Sequence, residues 1–289
     1  MSLQRIHSLE LEDYRLFRGP HVFEFAEGIT IIRGPNCTGK TCILQGIVEG
    51  LTSSADGPGN RDMIPYGAEQ GQPTSIKVDF AAGGSDFSIT KRFDESEYAT
   101  STLSFADNGA AEPFMQGENA TRCARALTEP IIVISNILDL RDQPVLGQPF
   151  TAEQIGAMKE HIDHWLARVP RINGTINLDE HGIIESITNG AGVQRPTRLL
   201  AAGHRIILDH LHLMAQSAVA AESGIGSVIL IDDFDVLMDQ NTVHILEDLM
   251  KLESERRGTQ FILVARNDDQ FPTCNTISLE QPAHLSDQQ

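Results

Sequence analysis

Residues 34–41, GPNCTGKT, fit the pattern G-x-x-x-x-G-K-[ST] through Gly34, Gly39, Lys40 and Thr41. Glycines let the backbone turn tightly around phosphate oxygens and point its N–H groups inward. The lysine of this pattern reaches the β- and γ-phosphates, and the hydroxyl that follows it binds Mg²⁺. The sequence therefore predicts that this loop binds ATP, with Mg²⁺ as the cofactor.

The rest of the loop is also expected to contact the nucleotide. A helix N-terminus offers free N–H groups and a positive end to an anion, so the start of the following helix is included. Lys40 is counted as a catalytic residue as well. The alternative interpretation is a glycine-rich turn with an incidental lysine. Besides the four pattern residues, the predicted nucleotide-binding residues here are Pro35, Asn36, Cys37, Thr38 and Cys42.

A second candidate segment is SVILIDDF at residues 227–234, an apolar strand that runs into two carboxylates. Asp232 is the predicted metal residue together with Thr41, because a carboxylate at the end of a buried strand holds Mg²⁺ directly or through water. Asp233 is the predicted catalytic residue, which orients or deprotonates the attacking water. Two aspartates that merely cap a turn are the alternative.

The predicted elements around these two segments alternate between buried strands and helices. Strand-like runs within residues 3–33 end in GITIIR before the loop, and CILQGIVEGL follows it with apolar residues at helical spacing. Such alternation is typical of a parallel sheet covered on both faces. Further strands are predicted at SIKVDFA, DFSITKRF, TSTLSFA, 129–135, TINLD, GIIESIT, 227–232 and 259–266, and helices at 118–127, 151–169 (capped by Thr151), 202–221 and 241–256.

The composition of the chain limits which partners it can be expected to bind. The chain has 289 residues and a net charge of −18, whereas proteins that bind DNA through its phosphates present basic surfaces. No apolar run reaches the roughly 18 residues that cross a bilayer, and the N-terminus lacks the apolar core of a secretion signal. We therefore expect a cytoplasmic protein with no membrane association. Zinc is not expected, because Cys37, Cys42, Cys123 and Cys274 lack metal-ligand spacing.

The arrangement of these motifs resembles the ABC-type ATPase heads of the SMC/RecF group. The likeness begins at LELEDYRLF, where Tyr14, Arg15 and Phe17 match a Phe/Tyr-Arg-x-Phe element, and continues through ITIIRGPNCTGKT and ITKRF. It resumes at LLAAGHRIILDHLHLMAQ and ILIDDFDVLMD, where the paired aspartates followed by Phe are most similar to the RecF branch. The resemblance implies an α/β fold: an ABC-type P-loop NTPase with a mainly parallel core sheet flanked by helices, an N-terminal antiparallel β subdomain and a short helical lobe.

The resemblance also implies that ATP is bound between two heads in a homodimer. One head supplies the phosphate cradle and the other a signature loop, usually Leu-Ser-x-Gly-Gln/Glu. Here residues 200–204 read LAAGH, so the glycine is kept as Gly203 while the serine is replaced by Ala201. Ala201 and Gly203 are therefore predicted to contact nucleotide across the dimer. An ordinary helix start is the alternative.

Three further nucleotide-site residues come from the resemblance alone. Arg15 matches an arginine that approaches the nucleotide, Asn136 lies roughly where a Q-loop glutamine would be, and Asp239 matches the D-loop aspartate. The alternatives are a surface arginine for Arg15 and a helix cap for Asp239, the latter compatible with a D-loop role. The switch position, usually His in ABC proteins, is Arg266 or Asn267.

The function expected from these observations is an ATP-binding ATPase that dimerises around ATP. Asp233 is one methylene shorter than the glutamate of most ABC ATPases, so hydrolysis is expected to be slow. The head would control a separately encoded effector, such as a nuclease, in DNA repair or in genome or anti-phage defence. Two alternatives remain open, a non-hydrolysing ATP-sensing scaffold and the nucleotide-binding subunit of an ABC transporter. DNA binding rests on analogy to the family alone, and the net charge of −18 argues against it.

The expected organisation is one ATPase domain over residues 1–281. Its parts are a β-rich region at about 1–110, a helical lobe at about 140–200 and a half at about 200–281 that carries Asp232 and Asp233. Residues 282–289 are expected to form a flexible tail. No heptad repeat is present, so no coiled-coil rod is predicted.

Overall fold

The computed structural model describes residues 3–52, 74–93, 99–105, 114–128, 131–134, 150–170, 172–266 and 274–280. The predictions for Asn136, Asn267 and the tail 282–289 concern residues outside these ranges. In chain order the elements are β1 (Leu3–Tyr14), β2 (Phe17–Glu24), β3 (Ile29–Arg33), α1 (Lys40–Thr52), β4 (Thr74–Ala82), β5 (Ser85–Phe93), β6 (Ala99–Phe105), β7 (Met115–Gln116), α2 (Glu118–Thr128), β8 (Ile131–Ile134), α3 (Ala152–Leu166), β9 (Thr175–Leu178), β10 (Ile184–Thr188), β11 (Gln194–Pro196), α4 (Ala202–Glu222), β12 (Val228–Ile231), α5 (Gln240–Arg257), β13 (Gln260–Val264) and β14 (Asn275–Ser278).

A parallel sheet in the order β14-β3-β13-β12-β8 lies at the centre of the fold. Side chains alternate between the two faces of a strand, so a sheet buried on both faces must be apolar at every position. In β3, Ile32 packs into one core cluster with α1 and the N-terminal strands, whereas Ile31 packs into a second cluster with α4 and α5. The predicted parallel sheet, covered on both faces, is confirmed.

A six-stranded sheet in the order β2-β1-β4-β5-β6-β7 covers α1. All of its strand pairs are antiparallel. Two glycines of α1 allow this close contact, because a Cβ on Gly46 would lie 2.9 Å from Leu11 and one on Gly50 would lie 2.6 Å from Val78. The predicted N-terminal antiparallel β subdomain is confirmed, and it fixes the helix that follows the phosphate loop.

The predicted helical lobe combines one helix with a small sheet. Thr151 caps α3 in a capping box with Gln154, as the Thr151 cap predicted. β9, β10 and β11 form a three-stranded antiparallel sheet, of which the sequence indicated the first two strands. Trp165 and Ile162 of α3 are buried in the same cluster as Leu211 of α4. The lobe is thus anchored to the helix that begins at the signature segment.

A buried lysine joins the β subdomain to the end of α1. Lys91 of β5 is 0% exposed, and its Nζ donates a 2.8 Å hydrogen bond to the carbonyl oxygen of Glu49. Carbonyls in the last turn of a helix lack helical partners and carry partial negative charge. Burial lowers the pKa of Lys91 to about 8, because the charged form loses its hydration.

This lowered pKa predicts a stability that rises with pH. Between about pH 8 and the ordinary lysine value near 10.4, the unfolded chain binds more protons at this site than the folded one, so the free energy of unfolding increases. We expect a gain on the order of 1 to 3 kcal/mol across this window, since one pKa unit corresponds to about 1.4 kcal/mol. Urea unfolding at pH 8 and pH 10 should show this gain in the wild type but not in Lys91→Met. An identical pH dependence in both proteins would contradict it.

Candidate nucleotide-binding site

The predicted phosphate loop lies between the end of β3 and the start of α1. Because β3 is a central strand, the loop is held at the carboxyl edge of the parallel sheet, beside the ends of β13 and β12. Helix α1 begins at Lys40, and the Ile43 N–H donates to the carbonyl of Gly39 at 3.2 Å. The strand, loop and helix follow in the order that the sequence pattern requires, with a helix N-terminus facing the loop.

Two glycines of the loop lie where no side chain would fit. Gly34 has φ +149°, and a Cβ there would lie 2.5 Å from the carbonyl oxygen of Leu279. Gly39 has φ +97°, and a Cβ there would lie 2.8 Å from the ring of Phe17. Phe17 therefore packs directly beneath the loop. This contact gives a physical reason for the aromatic residue in the Tyr-Arg-x-Phe element, which the sequence did not connect to the loop.

Gly34→Ala is expected to weaken ATP binding by at least about tenfold, because the Leu279 carbonyl is backbone and the loop must move to avoid it. The measurement is ATP affinity by isothermal titration calorimetry, with thermal unfolding alongside. Gly84→Ala is the matched control, since Gly84 also has positive φ, at +82°, but a Cβ there meets nothing within 4 Å. Equal ATP affinity in the two variants would contradict the importance of this close approach.

The Lys40 side chain bends back over its own loop. Its Nζ donates hydrogen bonds to the carbonyl oxygens of Gly34 at 2.7 Å and Pro35 at 2.8 Å. Burial lowers the pKa of the Lys40 ammonium group, and the nearby Arg266 cation lowers it further, whereas Asp233 acts in the opposite direction. These contacts hold a cation within the concave side of the loop, where a phosphate group would be bound.

Thr41 and Asp232 are joined across the site. The Thr41 hydroxyl donates to the Asp232 carboxylate, with Oγ1 3.1 Å from Oδ2 and 3.3 Å from Oδ1. Burial raises the pKa of Asp232, the Thr41 hydrogen bond lowers it, and the neighbouring Asp233 raises it. Hydroxyl and carboxylate oxygens are the hard ligands that Mg²⁺ prefers, and Mg²⁺ typically needs only one or two protein ligands besides phosphates and water. The pair therefore fits the ion that the sequence predicts.

No cluster of three or more His, Cys, Asp or Glu side chains forms a metal site within the described ranges. An ion at Thr41 and Asp232 would thus depend on phosphate oxygens to complete its coordination. Such an ion would neutralise the negative charge that builds up on the β- and γ-phosphates. The site residues are therefore suited to Mg²⁺ bound together with a triphosphate.

Asp233 is the next residue along the chain, and its backbone is in the left-handed region with φ +54°. Its carboxylate forms a two-point ion pair with Arg266, at 3.0 Å from Nε to Oδ1 and 2.9 Å from Nη2 to Oδ2. Hydrogen bonding to Asp233 raises the pKa of the Arg266 guanidinium. The sequence named Arg266 only as a candidate for the switch position, and this partner of Asp233 was not predicted.

Arg15 lies at the tight turn between β1 and β2, with φ +52°. Its guanidinium is 5.5 Å from the centre of the Tyr14 ring, and its Nε donates to the Tyr14 hydroxyl at 3.1 Å. Burial raises the pKa of the Cys42 thiol, while the Arg15 cation lowers it, so Arg15 lies close to the start of α1. A role in nucleotide contact stays a prediction for Arg15 and for Cys42.

The exposed tip of the loop is formed by its variable residues. Pro35, Asn36 and Cys37 are exposed, and Cys37 has φ +65°. The Thr38 hydroxyl donates to the carbonyl of Pro35 at 3.0 Å, which closes the loop on itself. These positions are compatible with phosphate contact, and their binding roles stay predictions.

Comparison with known proteins agrees with this geometry. An AAA domain family model matches residues 8–142. No curated protein sequence matches the chain. The SMC head domain from Thermotoga maritima superposes with a TM-score of 0.58 at 19% identity, covering 91% of this chain and 89% of that one. The Smc head bound to the C-terminal winged-helix domain of ScpA gives a TM-score of 0.73 at 16% identity, covering 96% and 95%.

The recombination mediator protein RecF (RecF-ATPrS) of the RecFOR pathway is also similar, with a TM-score of 0.59 at 12% identity and coverage of 98% of this chain and 100% of that one. The protein has the fold of an SMC/RecF-type ATPase head. The family resemblance and fold class predicted from the sequence are confirmed. At these identities the solved structures establish the fold alone.

The signature segment of the head lies at the start of α4. Ala201 is the N-cap residue of this helix without a side-chain cap, and its carbonyl accepts from Arg205 at 3.1 Å. A Cβ on Gly203 would lie 2.7 Å from the carbonyl of Leu237, so α4 starts directly against the turn that follows β12. Within the described part of the chain, no hydrogen bond joins Ala201 or Gly203 to residues 34–42.

Asp239 caps α5 of the head. Its carboxylate accepts from the Thr242 N–H at 2.9 Å and from the Thr242 hydroxyl at 3.1 Å. This is the helix-cap interpretation, which is compatible with a D-loop role. The structure therefore brings Lys40, Thr41, Asp232 and Asp233 together, whereas no hydrogen bond in the described ranges joins Ala201, Gly203 or Asp239 to the phosphate loop. In the described ranges, no helix is long and apolar enough to span a bilayer.

Proposed function

We propose that the head binds Mg-ATP at residues 34–42 and hydrolyses it slowly to ADP and phosphate. The observation that carries this proposal is the hydrogen bond between Thr41 and Asp232, which joins the phosphate loop to the end of β12. It brings two hard oxygen ligands next to Lys40, which bends back over the loop, and next to the second aspartate, Asp233. This combination fits metal-assisted phosphoryl transfer to water, in which positioning and charge stabilisation supply most of the catalysis.

Each residue then has a distinct role. The Lys40 ammonium group would leave the carbonyls of its own loop for the β- and γ-phosphates, where it stabilises the charge that develops on the leaving group. Thr41 and Asp232 would hold Mg²⁺. The Asp233 carboxylate would accept a hydrogen bond from the attacking water and orient it towards the γ-phosphate. Arg15 is assigned to the nucleotide as well, through its position beside the start of α1.

We further propose that two heads enclose the nucleotide in a homodimer. The contact of Gly203 with the Leu237 turn supports this proposal, because it combines the signature segment and the segment leading to Asp239 into one surface. Leu237 is 66% exposed with φ +63°, and Leu199 just before α4 is 72% exposed. In the proposed dimer, the second protomer would cover these two leucines.

The test is the mass of Asp233→Asn in solution, measured by sedimentation with Mg-ATP and with Mg-ADP. This variant is expected to bind ATP but to hydrolyse it slowly, so a dimer would accumulate only with ATP. Lys40→Ala is the control and should stay monomeric with either nucleotide. A monomer of Asp233→Asn at saturating Mg-ATP would contradict the proposed homodimer.

Gly203→Ala is expected to weaken this ATP-dependent dimer by about tenfold, because the added methyl group must push the Leu237 carbonyl away. ATP binding by the isolated head should be unchanged. Gly156→Ala is a matched control: it is also a helical glycine, but a Cβ there meets nothing within 4 Å. Sedimentation with Mg-ATP measures both variants. Equal dimer formation by the two would show that the Gly203 contact is irrelevant to the dimer.

The biological role is proposed from the fold and from a similar protein that has a protein partner. One similar Smc head is described as bound to the winged-helix domain of ScpA, which supports a protein partner for this head too. We propose a separately encoded effector, such as a nuclease, in DNA repair or genome defence. The net charge of −18 opposes strong binding of DNA through its phosphates. The single domain over residues 1–281 and the cytoplasmic location also stay predictions.

A second candidate function is an ATP-sensing scaffold that does not turn ATP over. It is favoured by Asp233, which is one methylene shorter than the glutamate of most ABC ATPases, and by Ala201 in place of the signature serine. Stoichiometric ATP binding without multiple turnovers would support this alternative. The transporter-subunit alternative gains no support from the described residues, because Ala201 replaces the signature serine and Arg266 follows the last buried strand.

A further inference from the structure

The end of β13 is tied to the Asp233 segment at three points, two of them through Arg266. Its guanidinium holds both carboxylate oxygens of Asp233, and its backbone N–H donates to Asp235 Oδ1 at 2.9 Å. The third tie is the Phe234 N–H, which donates to the carbonyl of Val264 at 2.8 Å. The turn after β12 is thus fastened to the end of β13 by both backbone and side chain.

We propose that Arg266 is a positioning residue that aims the Asp233 carboxylate at the attacking water. This inference rests on the hydrolysis proposed above. A carboxylate has about four lone-pair sites, so two hydrogen bonds from a guanidinium leave acceptor capacity for a water molecule. The planar fork of arginine fixes both the direction and the rotation of its partner, which a lysine does not.

The backbone conformation of Asp233 explains why its carboxylate needs Arg266 to orient it. With φ +54°, Asp233 lies in a conformation that only short polar side chains tolerate well. A glutamate at this position would reach further but has one more rotatable bond. Aspartate is short, so its carboxylate position depends on its backbone and on two side-chain torsions, which the two hydrogen bonds from Arg266 restrain. Asp233 therefore reaches less far than a glutamate would, but its ion pair with Arg266 fixes the direction of its carboxylate.

Stability alone does not account for the ion pair. The Arg266 side chain is 51% exposed and that of Asp233 is 32% exposed, and exposed ion pairs contribute little to folding. Removal of the guanidinium should therefore leave the fold intact while the Asp233 side chain becomes free to rotate. Misplacement of a catalytic group by about 1 Å is enough to slow a reaction about 100-fold.

The test is a double-mutant cycle of Arg266→Gln and Asp233→Asn, with kcat, KM for Mg-ATP and thermal unfolding measured for each protein. We expect Arg266→Gln to lower kcat by about 10- to 100-fold with KM and the unfolding temperature nearly unchanged. The double variant should be no slower than Asp233→Asn alone, because Arg266 acts through Asp233. Arg266→Lys keeps the charge without the fork and should recover only part of the rate.

Three outcomes would overturn the inference. Turnover by Arg266→Gln equal to or faster than wild type would show that the ion pair is dispensable or inhibitory. Multiplicative losses in the double variant would mean that Arg266 acts independently, for example on a phosphate. A wild type no faster than Lys40→Ala would refute the hydrolysis itself, and this inference with it. If the wild type is active and Arg266→Gln is equally active, the role of Arg266 is refuted while the proposed hydrolysis stands.

Discussion

We expect Lys40→Ala to lower the affinity for Mg-ATP by at least about 100-fold, because it removes a cation that would make charge-assisted hydrogen bonds to two phosphates. Each such bond contributes about 1.5 to 3 kcal/mol, and about 1.4 kcal/mol corresponds to a factor of ten. In the structure Lys40 donates only to carbonyls of its own loop, at 2.7 and 2.8 Å. Water can replace it there, so the fold should be retained.

The measurement is titration calorimetry with Mg-ATP, with circular dichroism to confirm that the variant is folded. Lys77→Ala is the matched control, because Lys77 is a partly exposed lysine of β4 with only surface ion pairs. It removes the same charge from the chain at a position away from the loop. If Lys40→Ala binds ATP as tightly as Lys77→Ala, residues 34–41 are not the phosphate-binding site.

We expect Asp233→Asn to slow hydrolysis by about 100-fold or more, while ATP affinity should stay within a few-fold of wild type. The change is nearly isosteric, but the amide cannot take a proton and is a weaker acceptor for the attacking water, and general-base groups contribute about 10²- to 10⁴-fold. Binding is preserved because Lys40, Thr41 and Asp232 are untouched. The loss should therefore appear in kcat rather than in the dissociation constant.

Single-turnover hydrolysis and ATP titration measure the two quantities separately. Asp248→Asn is the control, since Asp248 is an exposed aspartate on α5 and changes the net charge by the same amount. Unchanged turnover in Asp233→Asn would remove Asp233 from the mechanism. A loss of ATP affinity as large as the loss of rate would instead assign Asp233 to nucleotide or metal binding.

The part of the site that the sequence predicted is the part in which chemistry dictates residue type and spacing. Gly34, Gly39, Lys40 and Thr41 are local in sequence, and each is required by phosphate geometry. Asp232 is distant, but it follows an apolar strand, and the carboxyl ends of parallel strands meet at one edge of the sheet. The hydrogen bond between Thr41 and Asp232 shows the proximity of these two residues that this pattern predicts.

The contacts that the sequence did not indicate depend on tertiary packing. Phe17, the first residue of β2, packs against Gly39, and no local sequence pattern encodes this contact between distant segments. The pairing of Arg266 with Asp233 depends on β12 and β13 being neighbours in the sheet. β14 was missed because its residues, NTIS, are mostly polar and form an edge strand with half-exposed side chains.

The most direct test of the account is phosphate release from Mg-ATP over a range of protein concentrations, with Lys40→Ala as the blank. We predict that wild-type specific activity is low, rises with concentration and then saturates, since each active site is completed by a second head. Activity that equals the blank at every concentration would contradict the proposal that this head is an ATPase. Activity that is constant from the lowest concentration upwards would contradict the shared site.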